Sequence, residues 1–397
     1  MNRPIRTLLL STLYPSSVRP VHGIFVETRL RELLKTGEVE TKVIAPVPWF
    51  PFKGRAFGEY GQFAATPRRE DRNGIEVHHP RYFLAPKVGM NMAPASLARA
   101  VLPIAKKLIA SGFDFDLIDA HYYYPDGVAA SMVARQLGKP LVVTARGTDL
   151  SLIADFEKPR QSILDTAKEA RASIGVCAAL MNRLGDLGAD REKLHVLRNG
   201  VDLERFQPVD RSIARQKLNL PETGRIILSV GHLIERKGHH IVIEGLASLP
   251  EVTLVIVGTG PLEKSLIALA ERLGVSSRVR FVGLIPNDEL KWWFSAADLL
   301  ALCSSREGWA NVLLEAMACG TPVVASAIPG TTEVVQTTTV GRLMTERTPA
   351  AFAKAAALVL EEGATAASVR SYAEGFSWEP TTRGQIEIFR SICSATS

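Results

Sequence analysis

Twice along this chain, short apolar runs alternate with segments of helical period, and that doubled rhythm leaves few folds open. In the first half, residues 5–11, 41–46, 116–120, 141–144, 173–176 and 194–197 read as strands, with helices such as 26–36, 95–111 and 128–137 between them. The second half restarts the pattern with strands at 225–231, 253–258, 279–283, 299–303 and 322–326. Strands that alternate with helices build a parallel sheet covered on both faces. The expected fold class is therefore α/β, with two doubly wound, Rossmann-like domains facing across a cleft. A chain of 397 residues also exceeds one ordinary core. The first domain is expected at 1–205, a turn-rich linker at 206–224 (Phe206-Gln207-Pro208, then Pro221 to Gly224) and the second domain at 225–377. Ligands of such sheets bind at the carboxyl ends of the strands.

Composition narrows the class. The chain is 46% hydrophobic and 22% charged, which is globular. Its four cysteines form no CxxC and no metal-type cluster with histidine, so a reduced, cytoplasmic setting is expected. No apolar run reaches the length of a membrane span. The segment 1–17 mimics a weak signal peptide, but its apolar run is short and broken by Ser11 and Thr12, so a first buried strand is expected there. Residues 1–205 hold 29 basic and 22 acidic side chains, a net +7, and the remainder carries −1. A basic first half suits an anionic partner such as a lipid surface, or is a soluble surface that happens to be basic. Nucleic-acid motifs with interleaved aromatics are missing.

The most informative stretch is SSREGWANVLLEAMACGTPVVAS, 304–326. Glu307 sits in a Gly/Trp turn, and Glu315 on a short apolar helix that Gly320 ends and Pro322 prevents from resuming. Two acceptor carboxylates and the amides of a helix N-terminus suit a ligand with both hydroxyls and phosphate. Arg236-Lys237-Gly238, between a strand and a helix, offers cations for a diphosphate, or forms a solvated charged turn. Gly258-Thr259-Gly260 lacks the third glycine of a dinucleotide fingerprint and reads as a tight turn. Gly23 stands where the first loop enters a helix, and could admit a sugar or phosphate close to the backbone. His121, at the carboxyl end of a strand, is expected to face the cleft, with a structural histidine as the alternative. Arg146 and Asp149 would line the same rim, unless Asp149 simply caps the next helix.

With these segments in hand, the chain resembles the glycosyltransferase family 4 group, retaining enzymes of the GT-B fold. The resemblance spans essentially the whole chain and rests on Gly23, His121, Arg146 to Asp149, Asn199 to Asp202, Arg236 to Gly238, Gly258 to Pro261 and, above all, the Glu307/Glu315 segment. It implies that the first domain is the acceptor side and the second the nucleotide-sugar donor domain, and that the last helix, about 378–397, crosses back to the first domain. It implies that Glu315 accepts from the donor ribose, Glu307 holds donor-sugar hydroxyls, and Lys237 with Arg236 binds the diphosphate. Backbone amides around Trp309, Asn311 and Val312 would add to that stabilisation. Gly23 and His121 would close on the sugar and diphosphate, and the base would lie near 282–286. Two departures stand out. His232 occupies a place where members often carry arginine, and Arg146 one where they often carry histidine.

The implied reaction moves a sugar from a nucleotide diphosphate sugar to a lipid-linked or saccharide hydroxyl acceptor, with retention, in bacterial polysaccharide or glycolipid assembly. No cofactor or metal is called for. Asp114 and Asp116 form the DxD of a different sugar-transferring fold, but here they precede a buried strand. A sugar-nucleotide 2-epimerase on the same architecture would need a flanking carboxylate pair in the first domain, which is not identifiable. A glycoside hydrolase would need two carboxyls facing each other across the bond. A binding subunit without turnover would not need the intact set. The mixed loop Trp49 to Arg55 is a candidate contact with an anionic membrane, or packs on its own domain. Acids buried in ion pairs of their own would count against the whole reading.

Overall fold

The computed structural model describes residues 3–84 and 89–395. It divides into two compact units, one of residues up to Arg198 together with those from Glu379 on, the other Asn199–Trp378.

In the first unit the strands are β1 Ile5–Leu10, β2 Val39–Ile44, β3 Val47–Pro48, β4 Arg69–Arg72, β5 Ile75–His78, β6 Arg81–Tyr82, β7 Leu117–His121, β8 Leu141–Ala145, β9 Ala172–Gly175 and β10 Leu194–Val196. Eight of them form one sheet in the order β10-β9-β8-β7-β1-β2-β5-β4, and β3 pairs β6 separately. Every pairing in the main sheet is parallel except β4 with β5, a hairpin closed by Asn73-Gly74, both at positive φ. β7 and β8 are buried along their whole length, as strands covered on both faces must be. The final helix, Glu379–Ser394, belongs to this unit. Its Ile386, Phe389 and Ile392 share one face by their spacing, and they pack with Leu33, Leu117, Val142 and Ile174.

The second unit has β11 Arg225–Val230, β12 Val252–Val257, β13 Val279–Gly283, β14 Leu299–Leu302, β15 Val323–Ser326 and β16 Gly341–Met344. They form one parallel sheet in the order β13-β12-β11-β14-β15-β16. The expected linker is part of this unit. Asp210 caps the helix Arg211–Lys217 through the Ser212 and Ile213 amides, and buried Arg215 ties that helix to Ala296 O and the Asp298 carboxylate. A buried arginine needs such partners, which is why the turn-rich stretch is anchored and does not swing free.

In each unit the chain winds outward from one strand in both directions. The reversal falls between β1 and β7 in the first sheet and between β11 and β14 in the second. Loops leaving the carboxyl ends of those strand pairs diverge and leave a crevice, the usual place for a ligand.

Candidate functional site

In the second unit, the loops after β11 and β14 carry the expected residues and bring them together. Gly238, at φ 72°, is the enabling residue, since a Cβ there would lie 2.1 Å from Cys303 O. Its absence lets the Arg236-Lys237 turn close on the end of β14, where Ser305 N bonds Arg236 O at 2.8 Å. The Lys237 ammonium then donates to Glu307 Oε1 at 2.7 Å, Ser304 Oγ donates to the same oxygen at 2.7 Å, and Arg236 reaches Glu307 Oε2 at 3.3 Å. Burial would push the Glu307 carboxyl up, but Lys237 and Arg236 outweigh it and hold the group below the usual glutamate range. Glu307 is thus ion-paired, contrary to the expectation of an acid free of such pairs. Its partners are the two cations expected to hold a diphosphate. Two cations against one carboxylate leave the cluster a net +1.

Glu315 behaves differently. It lies half-buried on the helix Asn311–Ala318, and among the described residues its carboxylate makes no hydrogen bond or ion pair. Burial pushes it up to about 7, against the pull of Arg205. The same helix starts without a side-chain cap. Of the amides expected to be open there, those of Ala310 and Asn311 are already bonded, to Gly330 O at 3.4 Å and Trp309 O at 3.1 Å. Trp309 is buried against Phe376, Val312 is half-buried, and the Asn311 side chain accepts from Asn199. His232 is exposed and lies against Gly260, and 282–286 comprises the last two residues of β13 and the three after it. Ser304 and Arg205 were not among the expected site residues. Ser304 carried a signal, standing three residues before Glu307 at a strand end. Arg205 carried none, because only the fold brings it to Glu315.

The first unit buries its candidates. Gly23, at φ 67°, begins the helix Ile24–Leu34, and a Cβ there would lie 2.3 Å from Leu13 O. His121 does end β7, but it is 1% exposed, so the expectation that it faces an opening is corrected. Alternate strand residues share a face, and His121 Nε2 therefore meets Asp119 Oδ2 at 3.1 Å while Arg146 donates to Nδ1. A guanidinium only donates, so Nδ1 accepts and the proton sits on Nε2. Burial, with Arg146 reinforcing and Asp119 opposing, lowers the ring to about 4, and it is neutral. Arg146 is 8% exposed, lies 5.5 Å over the Phe25 ring, and is pushed down by burial. Asp149 lines no rim either. It is fully buried and accepts from the amides of Tyr123 at 2.8 Å, Gly147 at 2.7 Å and Arg146. Beneath them Gln385 of the last helix bonds both Arg29 at 2.8 Å and Asp119 at 3.0 Å. Asp116 pairs with Arg3, and Asp114 with Lys139.

Comparison with known proteins fits this picture. The family described as Glycosyl transferases group 1 matches residues 210–376, and that described as Glycosyltransferase Family 4 matches 28–205. A Bacillus subtilis protein assigned to teichuronic acid biosynthesis, the glycosyltransferase TuaC, is 30% identical over 336 residues, 82% of each chain. A D-inositol 3-phosphate glycosyltransferase of Frankia alni is 32% identical over 70% of this chain and 75% of its own. Among solved structures, Anabaena Alr3699/HepE in complex with UDP superposes with a TM-score of 0.73 at 23% identity, covering 98% of this chain and 100% of that one. Two doubly wound units of this kind define the GT-B glycosyltransferase fold. The chain belongs to the group 1, family 4 glycosyltransferases.

Proposed function

We propose that this glycosyltransferase takes its sugar from a nucleotide diphosphate sugar and passes it to a hydroxyl of a lipid-linked or saccharide acceptor, with retention of configuration. The observation that carries this reading is the Arg236–Lys237–Glu307 cluster at the strand-order reversal of the second unit, with the unpaired Glu315 on the helix that follows. That HepE was solved with UDP supports the same donor class.

In this scheme the diphosphate takes over Lys237 and Arg236, and Glu307, released from them, turns its oxygens to the sugar hydroxyls. Glu315 accepts from the ribose. As the bond to the leaving group breaks, negative charge grows on the diphosphate. Fixed cations then bind the transition state more tightly than the ground state. The departing phosphate oxygen receives the acceptor proton, so no side-chain base is required. Because Lys237 and Arg236 supply the positive charge, the reaction is proposed to be metal-independent. Gly23 is proposed to act indirectly, its missing Cβ making room for Leu13 O so that the loop after β1 can take its shape beside the sugar. His121 and Asp149 act from below, by holding Arg146 and its turn.

TuaC supports a place in polysaccharide assembly, and the basic first unit supports work at the inner, anionic face of a membrane. Among the described residues no helix is long and apolar enough to cross one. The test is calorimetry with a panel of nucleotide sugars, followed by transfer to membrane extracts with and without chelator and NMR of the new anomeric centre. Failure to bind any nucleotide sugar, or an epimer formed from donor alone, refutes the proposal.

A further inference from the structure

A second recess, in the first unit, lies on the other side of β1 from the His121 cluster. It has a volume of about 300 Å³, at the small end for ligand pockets. It opens over the carboxyl ends of β1 and β2, where Thr12 and Ala45 line it, and the helix Gly58–Ala65 forms its outer wall. The carboxyl ends of the strands are the side on which such sheets take ligands, and the recess lies one strand away from the reversal between β1 and β7.

Its chemistry is specific. Tyr60, Phe63 and Tyr82 give it aromatic faces, and Arg19, His22 and Glu59 give it polar edges. Arg19 donates to Glu59 Oε1 at 2.8 Å and to His22 Nδ1 at 3.1 Å, with its guanidinium 4.8 Å from the Phe63 ring centre. Because Nδ1 accepts from a guanidinium, the His22 proton is on Nε2, which donates to Thr12 O at 3.1 Å. The ring is therefore neutral, and one cation and one carboxylate cancel. His79, also in the wall, is spent on Ala45 O and the Glu70 carboxylate. A recess with aromatic faces and paired charges fits a neutral polyhydroxyl ring. The C–H faces of such a ring rest on aromatics, and its hydroxyls bond carboxylate and guanidinium edges. A phosphate would have to displace Glu59 from Arg19.

The mouth continues into an apolar surface. Tyr60 lies 5.3 Å from Phe50, and Phe50 in turn contacts Phe52 and Phe57. Trp49, Phe52, Phe57 and Tyr60 are 42–57% exposed. So the expected contact loop packs partly on itself and still shows a face of rings to solvent. The Arg55 side chain lies outside those described. Contiguous exposed aromatics of this kind are unfavourable in water unless something covers them. Tyr60 belongs to both the recess and the patch, so one ligand can fill both.

We infer that this recess and patch together form the acceptor site, the recess taking an uncharged sugar head and the aromatic patch its apolar carrier. The inference rests on the transferase reading and adds to it the site and the charge of the acceptor.

The test is calorimetry below micelle concentrations with octyl glycosides of glucose, galactose, mannose and N-acetylglucosamine. The parent sugars, their 6-phosphates and octyl phosphate are the comparisons, and UDP is titrated in parallel. At least one octyl glycoside is expected to bind, more tightly than its parent sugar or octyl phosphate. Tyr60→Ala should weaken it about tenfold, and Phe52→Ala, which touches only the patch, several-fold without changing the parent sugar. Glu59→Gln removes the cancelling carboxylate and should make the 6-phosphate the better head. UDP binding should stay constant in all three variants, whose melting temperatures report their folding. Three results each overturn the inference: no glycoside binds, binding is indifferent to Tyr60, or the wild type prefers a sugar phosphate. Loss of every nucleotide in the wild type would instead sink the transferase reading.

Discussion

The two strand-order reversals share one topology and use their charges in opposite ways. At the first, Arg29, Asp119, His121, Arg146, Asp149 and Gln385 are all at most 8% exposed, and most of their hydrogen-bonding atoms point at one another or at backbone, although Arg29 Nη2 and Asp119 Oδ1 find no partner among the described residues. At the second, Lys237, Arg236 and Glu315 keep partial access to solvent, and Glu315 has no partner among the described residues. Buried polar groups that satisfy each other fix a shape. Partly exposed charges that only partly cancel keep binding energy in reserve. The comparison teaches that a titratable residue at a strand's carboxyl end is no evidence by itself of contact with a ligand. What its lone pairs already hold decides that.

The largest effects should separate the two regions cleanly. Lys237→Ala removes a fixed cation from the growing charge of the leaving group, so turnover should fall by about 10²–10³. Melting should fall only modestly, since Arg236 and Ser304 still hold the Glu307 carboxylate. A full unfolding, or full activity, would break the contrast. Asp149→Ala should do the reverse. It strands buried amides at Tyr123, Gly147 and Arg146, a loss of about 3 kcal/mol that denaturant titration can read. Activity per folded molecule should change much less than for Lys237→Ala. Were it to fall equally with no loss of stability, Asp149 would belong with the open set after all.

Much of this was legible in the residues. Strand 279–283 and helix 128–137 fall at their expected limits, because Gly283 (φ 81°) ends the one and Gly138 (φ 65°) the other. The Glu307 segment and the Arg236-Lys237 turn were legible because glycine and proline punctuate them. The region 47–82 was not resolved into strands, although Asn73-Gly74 is a hairpin signal, because its strands are short and half-exposed. Nor could one-dimensional spacing tell that His121 turns inward. Position at a strand end was visible, but the depth of the sheet and the arrival of Gln385, from the far end of the chain, were not.

Smaller effects sharpen the second region. Glu315→Gln keeps the shape and weakens the acceptor, so affinity for the bound nucleotide should drop about tenfold by calorimetry, the scale of one charge-assisted hydrogen bond. An unchanged affinity would remove Glu315 from the ribose and leave only the cation cluster to distinguish the two sites.

The finest test is titration of that same group. Burial raises the Glu315 carboxyl from an ordinary 4.5 to about 7, so the folded chain keeps a proton that the unfolded chain has lost between those values. Stability from this group is therefore unaffected below pH 4.5, falls as pH rises from 4.5 to 7, and is flat above. Binding runs the other way, since an ionised carboxylate accepts from two ribose hydroxyls better than a protonated one. Nucleotide affinity should climb a few-fold from pH 6 to pH 8, and Glu315→Gln should flatten both the affinity profile and the slope in melting temperature. If the slope survives in the variant, the titrating group lies elsewhere. If only the stability slope disappears, Glu315 is buried for packing, and the second reversal resembles the first more than its exposure suggests.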